Sequence, residues 1–455
     1  MIGVLPLVLA VALGVDAEVD VGLGIEARTR RTDPPPAPTE GGGVDLTASP
    51  HLRLRLSGGA DFLLLAYTPR FTDRDAGPNA LYEYMHEGEL RLHVAPSSTW
   101  NLEGFANGGM GRTDLVTETR IAGSGGTGGG TGTGGSATAS TISVTQVLEV
   151  ERLRAGLSLQ LEPDRRDEYI LSGSGSVDGG ANTESAKAYP VQQLVDLSAE
   201  WRHSVTRRDQ IGPRLSGEWG RVPRLRSSAT IATGLLLWRH GTSRQTEVWG
   251  GAGAVALSSA ADTPVRSRQH EVRPAAELGF VRHLPPPPTD AEQAPAAEGQ
   301  ATESTTMEAS TSVDNATSGA TAQGGAAASQ ARAPSRLRDY TADMVAHLGA
   351  STNRNTGFAG PQLDANAGLS LPAGERLALT ARGIGVMTWT ERGRTRTGTL
   401  TLGAGYTIRT RIVLDGGAYG TWQQSTPGAA AAGAPSFREV GVFLGLTLDA
   451  PPVFR

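Results

Sequence analysis

Eight histidines stand at positions 51, 86, 93, 203, 240, 270, 283 and 347, and their spacing is the first guide to chemistry. A hydrolytic zinc site needs paired ligands of the HExxH kind or a tight His/Asp/Glu group, and neither spacing occurs. Asp343 and His347 are four residues apart, which makes them neighbours on a helix but merely same-sided on a strand. A hydrolase built on a serine or aspartate nucleophile requires a histidine in reach. The one grouping of that kind is His51 with His86 and Glu87, which the strand pattern places at the outer ends of adjacent strands. The chain has no cysteine, so thiolate nucleophiles, thiolate metal sites and disulfides are excluded. The glycine-rich run 123–135 has neither the lysine nor the strand-to-helix setting of a phosphate cradle, and Lys187, the sole lysine, is far off. It reads as a flexible loop. Asn315-Ala316-Thr317 matches a glycosylation triplet, but in a low-complexity stretch such triplets arise by chance. The sequence assigns no catalytic residue, metal ligand or cofactor, and the expectation is a protein that is not an enzyme.

The other residues able to do chemistry are charges that recur at every second position. HLRLRL sets Leu52, Leu54 and Leu56 against Arg53 and Arg55, and ELRLHV sets Leu90, Leu92 and Val94 against Arg91 and His93. RLRAGLSLQLE sets Leu153, Leu157 and Leu159 against Arg154, and VDLSAEWR sets Val195, Leu197 and Trp201 against Asp196, Glu200 and Arg202. Towards the end, LALTARGIGVMTW, GTLTLGAGYTI, IVLDGGAYGTW and GVFLGLTL alternate equally well. A two-residue period with one aliphatic and one polar face is the pattern of strands in a sheet with one wet side. Their connections also alternate. Short turns fall at SGGAD, APSST, EPDRRD, VTRRD, GTSR, LPAGE and IRTR, and long ones at 30–50, 73–84, 111–143, 178–190, 258–268 and 425–436. The strands between them number about 16–18 and run ~9–15 residues each, against ~5–6 in ordinary globular sheets. Pro213 and Pro274 fall inside two of them and weaken the middle of the count. Of the seven tryptophans, Trp100, Trp201 and Trp238 lie near short turns, Trp219, Trp389 and Trp422 near long-loop ends, and Trp249 nearer mid-strand. Two bands of tryptophan are what two membrane interfaces select.

This layout resembles a bacterial outer-membrane β-barrel, and the likeness covers nearly all of the chain beyond residue 17. The assembly pattern of that class is polar, x, Gly, x, x, apolar, x, apolar in the last strand. Glu439, Gly441, Leu444 and Leu446 occupy its defined places. The class commonly closes on an aromatic residue, whereas here Phe454 is followed by Arg455. The resemblance implies an all-β fold, a transmembrane antiparallel up-and-down barrel in the Gram-negative outer membrane. Its partners are then membrane lipid, the barrel assembly machinery and small polar solutes, with envelope proteins as further candidates. The terminal strand is expected to pair with the first, Glu18–Ala27, and so close the sheet.

Placed in such a barrel, Arg53, Arg55, Arg91, His93, Glu103, Arg154, Asp196, Glu200, Arg202, Arg382 and Asp415 line the lumen. An arginine on the lipid side costs ~2–4 kcal/mol at the midplane, so inward is the comfortable direction. Either these charges solvate and brace the lumen, or Arg53, Arg55 and Arg91 form a constriction that favours anions.

Residues 1–17 read as a secretory signal: an apolar run too short to span a bilayer, ending in small residues before Ala17. A buried first strand is the alternative. Residues 18–455 form the barrel, with 285–335 an insert rich in Pro, Ala, Ser, Thr and Gly that is expected to be disordered and to fall in a short-turn slot. Net charge is −5, so no electrostatic footprint for nucleic acid exists. Three readings follow. The first is a passive pore for small polar solutes, anion-leaning. The second is a non-transport barrel that anchors or partners envelope proteins, with an outer-membrane hydrolase a lesser variant. The third is a soluble β-protein whose aliphatic faces pack on one another.

Overall fold

The computed structural model describes residues 16–33, 42–58, 61–74, 81–114, 121–122, 138–139, 147–243, 245–261, 267–284, 340–352, 359–374, 376–390, 393–409, 411–427 and 436–450. The expected signal up to residue 15, the glycine-rich run, the insert 285–335 with its triplet, and the last five residues lie outside these.

Eighteen long strands make one antiparallel sheet. They are β1 (Asp16–Asp33), β2 (Gly42–Gly58), β3 (Asp61–Arg74), β4 (Leu81–Ser97), β5 (Trp100–Asp114) and β6 (Val147–Leu161). Next come β7 (Asp167–Gly180), β8 (Gln192–Ser204), β9 (Asp209–Val222), β10 (Ser227–Ser243), β11 (Thr246–Ala261) and β12 (Ser267–Leu284). The last six are β13 (Tyr340–Thr352), β14 (Ala359–Pro372), β15 (Leu377–Thr390), β16 (Gly393–Arg409), β17 (Ile412–Ser425) and β18 (Phe437–Asp449). Each strand pairs with its sequence neighbours, and β1 pairs with both β2 and β18, Leu23 facing Leu448 and Ile25 facing Leu446. The sheet therefore closes, as expected from the two terminal strands, and leaves no free end strand.

Alternation decides which face meets what. Leu197, Leu215, Leu236, Leu278 and Leu444 point outwards and are 57–63% exposed. Soluble proteins rarely expose so continuous an aliphatic surface. A closed sheet with an aliphatic outside and a charged inside is a transmembrane barrel of the Gram-negative outer-membrane type. The soluble reading is overturned by the same geometry, because the aliphatic faces turn away from one another. Pro213 and Pro274 leave their own strands intact: both sit on outward positions, in register with a neighbouring strand, Pro213 opposite Leu236 and Pro274 opposite Ala254. The exterior tryptophans Trp219 and Trp422 ring one rim, and Trp201 and Trp238 the other, all 40–48% exposed. Trp249 belongs to neither band, since it is buried on the lumen side.

The segments joining even-numbered strands to the next are short, apart from 285–339, and those after odd-numbered strands include the long ones. Short turns mark the periplasmic rim, and the strands that flank 285–339 end there at Leu284 and begin there at Tyr340. On the long-loop rim α1 (Thr183–Ala188) is capped by Asn182, whose Oδ1 accepts the Ser185 N–H at 2.8 Å. Three connections on that rim escaped the sequence reading: 223–226, 353–358 and 391–392.

One hairpin leaves the wall. β12 pairs with β13 only from Ala276 opposite Leu348 to Leu284 opposite Tyr340, while β13 and β14 continue together to Thr352 opposite Ala359. Pro274, which has no N–H to give, sits two residues beyond the last β12–β13 pair. The free end of the hairpin bends into the lumen. Thr352 Oγ1 donates to Glu218 Oε1 of β9 at 2.6 Å, and the Ala359 N–H donates to Ser259 Oγ of β11 at 2.8 Å. Ala350 and Ala359 pack there with Ile231, Leu235 and Leu237 of β10 and Val255 and Leu257 of β11. A small apolar core therefore fills the barrel beside β9–β14.

Leu444, mid-strand on β18 and turned to lipid, makes the orientation testable. Leu444→Arg is expected to cost about 2–4 kcal/mol. Less heat-modifiable barrel should then be recovered from the membrane fraction than for the native chain. Undiminished recovery contradicts the assigned lipid face.

Candidate functional site

The eleven charged residues expected on the lumen side all take that side, but they form separate groups. The first lies on β2–β5. The Arg55 guanidinium stands 5.2 Å over the Phe62 ring, which stacks on His93 at 5.3 Å. His93 Nδ1 is 3.6 Å from Glu103 Oε1, and Arg91 pairs with Glu89 of its own strand. Arg53 stands among Asp20, Glu89, Asp449 and Arg91. Arg154 of β6 lies 5.5 Å over the Phe105 ring and faces Asp196 of β8, which accepts from Ser174 Oγ at 3.3 Å. Arg53, Arg91 and Arg154 each have a carboxylate beside them, and Glu18 of β1 stands opposite Arg55 in register, so the lining is a mosaic of both signs rather than an arginine-only ring.

The second group is buried. Glu200 Oε1 accepts from Arg202 Nε at 2.6 Å and from Arg239 Nη2 at 2.9 Å. Arg202 continues to Glu168 at 3.0 Å and Arg239 to Glu247 at 3.2 Å. On the next strand, Arg214 stands opposite Glu200 in register and pairs with Glu277 of β12, which also accepts the Trp249 Nε1–H at 2.9 Å. Sequence reasoning found Glu200 and Arg202 here but missed Glu168, Arg214, Arg239, Glu247, Glu277 and Trp249. A signal existed: Trp201-Arg202-His203 recurs as Trp238-Arg239-His240, and both arginines reach Glu200.

The remaining candidates, Arg382 and Asp415, lie on β15 and β17. Asp343, Gly368 and Arg382 form one cross-strand row on β13, β14 and β15. Any side chain at Gly368 would collide with Asp343, so the glycine makes room for the charged pair. Asp415 of β17 faces Gly405 of β16 in the same manner.

The proposed hydrolase grouping does not assemble. His51 faces the lumen with its Nε2 3.0 Å from Asp449 Oδ1, whereas His86 faces outwards and bonds the Tyr67 hydroxyl at 2.7 Å. Glu87, next to His86, returns to the lumen side. Among the described residues no three His, Asp or Glu side chains are placed to hold a metal ion.

The assembly-pattern residues divide between the faces. Leu444 and Leu446 turn to lipid, while Glu439 accepts from the Tyr419 hydroxyl at 3.2 Å inside. The Tyr419 ring lies against the bare Cα of Gly441, where a Cβ would strike both the ring and the Thr29 carbonyl.

No protein-family model matches the sequence, and no curated protein does. Solved structures similar to it include the ferric citrate transporter FecA in its unliganded form, with a TM-score of 0.42 and 10% identity over 94% of this chain. The chain spans 65% of the length of that protein. The ferric-catecholate import receptor Fiu of E. coli K12 gives a TM-score of 0.42 at 8% identity, over 94% of this chain and 81% of Fiu. Pseudomonas aeruginosa OccK2 gives 0.39 at 9% identity, over 95% of this chain and 98% of OccK2.

Proposed function

We propose that this barrel is a passive, non-enzymatic outer-membrane pore for small polar solutes. The observation that carries the reading is the exposure of the β2–β5 lining. The side chains of Arg91, Glu89 and Glu103 remain 30–35% exposed inside a closed wall, whereas those of Glu200, Arg202 and Arg239 are only 1–6% exposed. Charges that stay wet within a barrel mark a water path, and the charge they carry sets its preference. Arg53, Arg55 and Arg91 favour an anion-leaning path, tempered by Asp20, Glu89 and Asp449 beside them. Assembly by the barrel machinery is supported by the residues at Glu439, Gly441, Leu444 and Leu446.

The experiment is ion selectivity in planar bilayers. Arg53→Ala with Arg91→Ala is expected to move the reversal potential in a salt gradient towards cation preference. An unchanged reversal potential removes the anion preference. If the native protein inserts into liposomes yet passes neither ions nor sugars, the pore reading fails and the envelope-anchor reading, through the long loops and 285–335, takes its place.

A further inference from the structure

The exterior of the short-turn rim carries one device built twice. Asp167, the first residue of β7, lies opposite His203 of β8, and Asp209, the first residue of β9, lies opposite His240 of β10. In the first unit Asp167 Oδ1 accepts the Trp201 Nε1–H at 2.8 Å and meets His203 Nδ1 at 2.9 Å. In the second, Asp209 Oδ1 accepts the Trp238 Nε1–H at 3.3 Å and meets His240 Nδ1 at 2.8 Å. A carboxylate only accepts, so each histidine donates from Nδ1 and turns Nε2 away from its aspartate. Trp201 stacks on Tyr169 at 6.5 Å and Trp238 on His240 at 5.5 Å, which holds the rings upright on the wall.

The chemistry changes in steps along the membrane normal. Leu197 and Leu236 lie in the aliphatic belt, and Trp201 and Trp238 stand at its edge. At ~3.3 Å per residue, His203 and His240 follow ~7 Å further along their tilted strands. Beyond them the exposed turns carry Arg165-Arg166 and Arg207-Arg208. Aliphatic, indole, imidazole, then guanidinium is the order that matches acyl chain, glycerol and phosphate. The carboxylates on this rim are already engaged: Asp167 and Asp209 each take two donors, Asp164 accepts the Arg166 and Asp167 backbone N–H groups at 2.7 and 2.8 Å, and Glu162 accepts from Gln160 Nε2 at 3.0 Å.

The geometry points to a binding surface for anionic phospholipid head groups on this rim, with Trp201 and Trp238 at glycerol level and His203, His240 and the four turn arginines around the phosphate. It adds a lipid specificity to the barrel and holds whether or not the lumen conducts.

The test is native mass spectrometry of the full barrel released from micelles containing equal phosphatidylglycerol and phosphatidylcholine. The native chain is expected to retain phosphatidylglycerol with a preference on the order of tenfold. Arg165→Gln, Arg166→Gln, Arg207→Gln and Arg208→Gln together should bring that to within about twofold of parity. The two paired variants, one per turn, should each fall between. Heat-modifiable mobility confirms folding, and Arg112→Gln, Arg221→Gln, Arg394→Gln and Arg438→Gln on the opposite rim serve as control. The proposal is overturned if the native chain shows no preference, if the four-arginine variant keeps it, or if the opposite-rim variant loses as much.

Discussion

Removing two ties of the inward hairpin, by Glu218→Ala with Ser259→Ala, is expected to raise the conductance of the barrel and lengthen its open intervals. Thr352 donates to a buried carboxylate, a bond of about 1.5–3 kcal/mol, and the Ala359–Ser259 bond adds about 0.5–1.5 kcal/mol. Together they hold the hairpin with about 3 kcal/mol, which corresponds to roughly a hundredfold in its docked-to-undocked ratio. The apolar packing of Ala350 and Ala359 on Ile231, Leu235 and Leu237 remains, so the hairpin visits the undocked position more often instead of leaving for good. The absence of native cysteine permits a converse test. Ser259→Cys with Ala359→Cys places two thiols where a hydrogen bond now joins those residues, and oxidation should lock the hairpin and quieten the channel. Equal conductance records for the oxidised and reduced forms, with cross-linking verified by electrophoresis, would sink the idea that this hairpin moves.

The wall was legible in the sequence, and the reason is physical. A barrel strand must turn every second side chain to lipid, so Leu52-Arg53-Leu54-Arg55-Leu56 states both its period and its facing. The tryptophans and the short turns fixed which rim is which, and the terminal pair β1–β18 followed from closure. What alternation could not supply was the filling. Leu235, Leu236 and Leu237 are apolar on both faces, because Leu236 meets lipid while the other two meet the folded-in hairpin. No local pattern says that strands more than a hundred residues further on will cover them. The lumen charges show the same limit: their side was readable, but their partners depend on strands several places around the wall. Arg214 with Glu277 spans three strands, and Glu218 with Thr352 spans four. His51 and His86 looked like neighbours for a related reason, since proximity in strand order does not reveal the face.

Glu200→Ala is expected to be the most destabilising single change on the lumen side, at about 3–5 kcal/mol. Glu200 takes two arginines while its side chain is only 1% exposed, so its loss leaves Arg202 and Arg239 facing one another across the gap. Their outer partners, Glu168 and Glu247, cannot follow them inwards because β7 and β11 fix both backbones. The measurement is the temperature at which unboiled samples lose their compact mobility, or the urea midpoint in lipid vesicles. Glu103→Ala is the comparison, since its partner His93 lies in the half-exposed arc and water can take the place of the carboxylate. Such exposed pairs are worth about 0–1 kcal/mol. Replacing Glu200, Arg202 and Arg239 together with leucine should recover most of the loss, because removing a whole buried network relieves its desolvation cost as well as its attraction. Equal losses for Glu200→Ala and Glu103→Ala would mean that water reaches both groups, and the division of the lumen into a sealed sector and a wet arc would fall with it.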